Sequence, residues 1–151
     1  MEKRLVSVIV PTYHGSDVIK RAVDSVLEQS YQNFEVIVVD DNDPSSDERK
    51  RTEEEMNGYA NHKKVVYLKH EKNKNGSAAR NTGIKASRGE FIAFLDDDDW
   101  FLPEKISKQL SYMDEHKEYE GCYCFARRDG KEIKTFPYKG DVTKELLLMK
   151  P

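Results

Sequence analysis

The run FEVIVVDD, Phe34 to Asp41, decides the fold. It is β-branched almost throughout, does not alternate cleanly between apolar and polar residues, and ends in two acids. A strand with one wet face alternates, whereas one buried on both faces reads as a near-continuous apolar run, as in a parallel sheet. Three more runs share this character: LVSVIVP (Leu5 to Pro11), KVVYL (Lys64 to Leu68) and EFIAFL (Glu90 to Leu95). Between the first two, GSDVIKRAVDSVLEQS repeats Val18, Ile19, Ala22, Val23, Val26 and Leu27 at helical spacing, with Ser16 or Asp17 placed to cap its start. Asp47 to Tyr59 predicts a charged surface helix ending near Gly58, and Ser77 to Ala86 a short helix whose small residues suit close packing on a sheet. Strand and helix therefore alternate. That order predicts a doubly wound α/β fold, a mostly parallel sheet with helices on both faces, and ligands outside the carboxyl ends of the strands.

Beyond the fourth strand, Pro103 is expected to open a helix with Ile106, Leu110 and Met113 on one face. Tyr119 to Arg128 and Glu132 to Pro137 flank an Asp129-Gly130 turn, a C-terminal β-hairpin signal. VTKELLLMKP predicts a closing helix. The 151 residues suit one domain over residues 1–151. With 25 basic and 28 acidic side chains and a net charge of -3, composition gives no reason to expect nucleic acid as a partner. No apolar run approaches the roughly 20 residues that span a bilayer, and MEKRLVSVIVPTY lacks a signal-peptide pattern. A soluble, cytoplasmic chain is the expectation. Cys122 and Cys124 read as free thiols, and His62, His70 and His116 as surface residues without metal spacing.

Acids collect at two strand ends that this architecture brings to one edge: Asp40 and Asp41, then Asp96 to Asp99. Two carboxylates ~4 Å apart repel by roughly 1 kcal/mol in water and about 4 kcal/mol at an effective dielectric near 20. A partly buried cluster therefore raises some pKa values or recruits a cation. The all-oxygen set points to Mg²⁺ or Mn²⁺ rather than zinc. If the pleat persists into the turn, Asp96 and Asp98 face one way and Asp97 and Asp99 the other. Taken alone, the four acids also suit a solvated turn before the Pro103 helix.

VSVIVPTY (Val6 to Tyr13), VIVVDDN (Val36 to Asn42) and GSAARNTGIKASRGEFIAFLDDDDWFLPEKI (Gly76 to Ile106) resemble, in order and spacing, the donor-site motifs of the family 2 glycosyltransferases. The resemblance runs from about Val6 to Leu110. It implies the nucleotide-sugar-binding GT-A fold, a nucleotide diphosphate sugar donor, expected to be a UDP-sugar, and a divalent Mn²⁺ or Mg²⁺. It places Pro11, Thr12 and Tyr13 in the base pocket and gives Asp41 the base N–H. Arg80 is aligned with a residue facing the anionic donor, with pairing to the acidic turns the equal alternative; Asp96 and Asp97 stand on the sugar side, and Asp98 is matched to the metal. His14 stands where the family often has asparagine, and Asn42 and Asp43 depart from the commoner DDGS pattern.

The resemblance also implies inverting transfer to an acceptor hydroxyl, on a carbohydrate or lipid-linked acceptor in polysaccharide biosynthesis. Its carboxylate base has no recognisable counterpart among the later acids Glu118, Glu120, Asp129, Glu132, Asp141 and Glu145. The chain is accordingly expected to stop after the donor-binding part, with peripheral membrane association and oligomeric state left open for a full-length protein. A non-catalytic nucleotide-sugar-binding module is the alternative from another class. A phosphoacceptor domain fits less well, since no lone strand-end aspartate stands with a partnering lysine.

Overall fold

The computed structural model describes residues 4–124, 126–128 and 131–133. Two compact units divide the chain, residues 1–106 and 107–151. The first holds a four-stranded, all-parallel sheet in the order β3-β2-β1-β4. Its strands are β1 (Val6–Thr12), β2 (Phe34–Asp40), β3 (Val65–Lys69) and β4 (Phe91–Phe94). The central strands are closed on both faces, with Val8, Ile9, Val10, Val36, Ile37, Val38 and Val39 fully buried. Burying each such side chain is worth about 1.5–3 kcal/mol. As edge strands, β3 and β4 are only partly covered, so the expectation of full burial fails for them.

The helices are α1 (Ile19–Leu27), α2 (Asp47–Asn57) and α3 (Asn75–Ala86). On one face α3 lies against Ile9, Ile37 and Val39, and Ala79 and Gly83 make the approach possible. A Cβ on Gly83 would stand 2.4 Å from Ile9 Cγ2, which is why a residue that weakens the helix is tolerated there. On the opposite face α2 sends Arg49 to Asp40, and α1 joins α2 through Tyr59 Oη donating to Asp24 and Ser16 Oγ donating to Glu48.

Three local readings need correction. Neither Ser16 nor Asp17 caps α1: the Gly15 carbonyl accepts the Val18 and Ile19 N–H groups instead, and the helix starts at Ile19. The α3 helix starts two residues before Ser77, because Asn75, at φ 73°, accepts the Ala78 N–H on its side-chain oxygen. Pro103 lies in a turn ahead of α4 (Lys105–Glu115) rather than at its first residue. By contrast, Ser46 caps α2 by accepting from Arg49 N, with Asp47 and Glu48 complementing the helix dipole.

In the second unit β5 (Ala126–Arg128) pairs antiparallel with β6 (Lys131–Ile133). The Asp129-Gly130 turn, the strand residues beyond Ile133 and the closing helix lie outside the described residues. Cys122 is half-buried and Cys124 exposed, both as free thiols. Among the described residues no helix is long and apolar enough to cross a membrane.

Candidate nucleotide-sugar site

The carboxyl ends of β1, β2 and β4 are tied into one edge by hydrogen bonds. Asp41 N donates to the Thr12 carbonyl at 2.9 Å, and Leu95 N to Ile9 O at 3.0 Å. Odd-numbered residues of β1 direct their backbone groups toward β4, whose ladder ends at Phe94 opposite Ile9. The N–H that Pro11 lacks therefore falls just past the last β4 partner, which is how a proline fits a central strand.

The two acids that end β2 and follow it take different roles. Asp40 is fully buried and lies 3.1 Å from Arg49 Nε, off-line for a hydrogen bond. Its carboxylate also accepts from Tyr67 Oη at 2.5 Å and from Asn42 N and Nδ2. Arg49 bonds the carbonyls of Asp40, Asn42 and His70, so α2, β2 and β3 meet at one guanidinium. Breaking such a buried pair costs about 3–5 kcal/mol. This is scaffold.

Asp41 is 2% exposed. Its Oδ1 accepts from His70 Nδ1 at 2.6 Å and from Lys74 N at 2.8 Å, while Oδ2 is buried with no hydrogen-bond partner. His70 is therefore not the surface residue its spacing suggested. It is 6% exposed, and its Nε2 lies 2.8 Å from Thr82 Oγ1 on α3. Nothing local in the sequence marks this contact, which joins residues 29 and 12 positions from His70.

Beyond Phe94 the pleat does not continue. Asp99 N bonds back to Asp96 O in a turn, so Asp96 to Asp99 do not alternate between two faces. Asp96 pairs with Arg80 at 2.5 Å, so the guanidinium expected to face the donor holds an acid of the same edge. Asp97 turns toward β1. Its Oδ2 accepts from Tyr13 N at 3.4 Å and occupies the space a Cβ on Gly15 would take, only 1.9 Å away. Burial pushes the Asp97 carboxyl above its ordinary value, the Thr12 hydroxyl and Tyr13 N–H oppose that, and the charges of Asp98 and Asp96 add to it. Thr12 Oγ1 itself is buried without a partner at full hydrogen-bond geometry. Asp98 is exposed, and its carbonyl accepts from Arg21, whose guanidinium lies 4.5 Å from the Trp100 ring centre. Trp100 is a rim residue, 53% exposed.

The two departures from the family pattern meet each other. His14 N donates to Asn42 Oδ1 at 2.9 Å, and His14 sits at φ 57°, a left-handed conformation that histidine enters more readily than most residues. The loop after β1 is thus fixed to the loop after β2, leaving the Tyr13 side chain 54% exposed above them.

This parallel α/β sheet, with acids gathered at the carboxyl ends of its strands, is that of a GT-A glycosyltransferase. The model of the glycosyl transferase family 2 matches residues 7–147, and the chain belongs to that family. It is 36% identical over 137 residues to the putative teichuronic acid biosynthesis glycosyltransferase TuaG of Bacillus subtilis, covering 89% of this chain and 52% of TuaG. It is 38% identical over 113 residues to the UDP-Glc:alpha-D-GlcNAc-diphosphoundecaprenol beta-1,3-glucosyltransferase WfgD of Escherichia coli, covering 75% of this chain and 42% of that protein. The S. aureus TarS 1-349 structure in complex with UDP superposes with a TM-score of 0.65 at 34% identity, over 74% of this chain and 32% of the other. The chain thus spans about half or less of the length of these relatives.

Proposed function

We propose that this chain binds the donor of a metal-dependent, inverting sugar transfer, a UDP-sugar, across the carboxyl edge of its sheet. The observation that carries the reading is the buried, unpartnered Oδ2 of Asp41. An acceptor left without a donor away from water costs about 1–3 kcal/mol. A base N–H brought against Oδ2 supplies the missing donor. Tyr13, exposed on the adjoining loop, offers a flat face for a pyrimidine, with Pro11 and Thr12 behind it. Arg80 and Asp96 form a pair that the donor can enter, the guanidinium turning to phosphate and the carboxylate to a sugar hydroxyl.

Among the described residues no three His, Cys, Asp or Glu side chains are arranged to hold a metal. A hard cation held by one or two carboxylates plus substrate phosphates, as Mg²⁺ commonly is, does not require such a set. Asp98 is the residue that would hold it, with its backbone fixed by Arg21. The chemistry supplied there would be Lewis-acid neutralisation of charge on the departing diphosphate.

WfgD is named for a diphosphoundecaprenol-linked acceptor and TuaG for teichuronic acid biosynthesis. A carbohydrate or lipid-linked acceptor hydroxyl, in polysaccharide biosynthesis, is the corresponding proposal for the whole protein. Calorimetric titration of UDP with and without Mn²⁺, repeated on Asp98→Ala, tests the reading. Mn²⁺ should tighten binding by about tenfold or more, and the substitution should remove that gain. Binding indifferent to both metal and substitution refutes it.

A further inference from the structure

We infer that His70 is a positioning residue that selects the base, leaving Asp41 a single oxygen to offer. The inference rests on the donor reading above and deepens it. An ionised carboxylate only accepts hydrogen bonds, with about two directions at each oxygen. Both directions at Asp41 Oδ1 are taken, by His70 Nδ1 at 2.6 Å and by Lys74 N at 2.8 Å. With Nδ1 turned to the Asp41 carboxylate, the other ring nitrogen, Nε2, stands 2.8 Å from Thr82 Oγ1. Thr82 thereby holds the ring plane, as an outer partner orients a working imidazole.

The site is held from every side. Arg49 of α2 donates to the His70 carbonyl, Asn73 Nδ2 to the Asp41 carbonyl, and His70 N to the Asp40 carbonyl. Rotating the carboxylate would break the contacts of Oδ1 with His70 Nδ1 and Lys74 N. What remains is Oδ2, one acceptor buried on a fixed group.

A single acceptor matches a uracil ring, which presents one N–H between two carbonyls. It matches guanine poorly, because the adjacent ring N–H and amino group ask for both oxygens of a carboxylate. Cytosine presents a bare ring nitrogen where uracil has its N–H, so it must shift to bring its amino donor onto Oδ2. His70 thus decides which base the acid can read, without itself touching the base.

The test measures UDP and GDP affinities, with Mn²⁺ present, for the wild-type chain, His70→Leu, His70→Asn and Thr82→Val. Leucine removes the donor, whereas asparagine returns an N–H near the place of Nδ1. The wild type should prefer UDP by roughly tenfold or more, in line with a lost charge-assisted hydrogen bond. His70→Leu should bring the ratio close to one, His70→Asn should restore much of it, and Thr82→Val should fall between. An unchanged ratio in His70→Leu overturns the inference; should that variant not fold, an unchanged ratio in Thr82→Val does so. A wild type that binds neither nucleotide fails the donor reading itself, which separates the two claims. A purely structural histidine would lower thermal stability without moving the ratio.

Discussion

Asp97 is held at the carboxyl edge of the sheet at a cost in stability. Its folded pKa is raised above the ordinary 3.8, chiefly by burial. A carboxyl with a raised folded pKa favours the folded state only in its protonated form, so the penalty is absent at low pH and grows as pH rises through the folded pKa. Asp97→Asn is therefore expected to raise the melting temperature at pH 7, with the gain shrinking toward pH 3, measured by thermal unfolding across that range. The same variant should weaken donor binding, since its neighbours Asp96 and Asp98 share the turn. The gathering of acids at one edge was legible because the sequence lines them up at strand ends. Their separate jobs were not. Asp96 to Asp99 fold into a turn rather than a pleat, and the partners that set each apart, Arg80, Tyr13 N and Arg21, are distant in sequence. His70 was missed for the same reason, because its burial comes from β2 and α3, not from its own neighbours.

At the level of elements, strands β1 to β4 could be read almost to the residue, because β-branched runs bounded by polar turns leave few alternatives. Helix starts were less legible, since backbone groups such as the Gly15 carbonyl replaced the expected side-chain cap. The opposite edge of the sheet holds a contact of another kind. Glu35 on β2, 2% exposed, accepts from Ser7 Oγ at 2.7 Å, Arg88 N at 2.8 Å and the Arg88 guanidinium at 2.7 and 2.9 Å. Burial alone would push its carboxyl up, but the hydrogen bonds from Ser7 and Arg88 outweigh it and hold the pKa below 4.5. A depressed folded pKa contributes stability that is present above the unfolded value and lost as pH falls through the folded one. Glu35→Gln should cost about 1 kcal/mol at pH 7 and flatten the loss of stability below about pH 4.5, measured by urea unfolding at stepped pH. Unchanged acid sensitivity would mean that the clamp contributes nothing.

On the scale of the first unit, the two edges of one sheet differ in how well their polar groups are satisfied. At the amino edge Glu35 is saturated. At the carboxyl edge Asp41 Oδ2 is buried without a partner, Thr12 Oγ1 has none at full hydrogen-bond geometry, and Asp97 carries an unfavourable charge. Native folds pair nearly all buried polar groups, so the exceptions at this edge are what the donor proposal has to explain. The central claim is that a base N–H completes Asp41. Its most direct measurement is calorimetric titration of UDP, with Mn²⁺ present, into the wild type and Asp41→Asn. Asparagine keeps an oxygen for His70 and Lys74 but turns an amide donor toward the base, donor against donor. Affinity should fall roughly tenfold to a hundredfold with folding intact. Equal affinity in the two proteins would contradict the account.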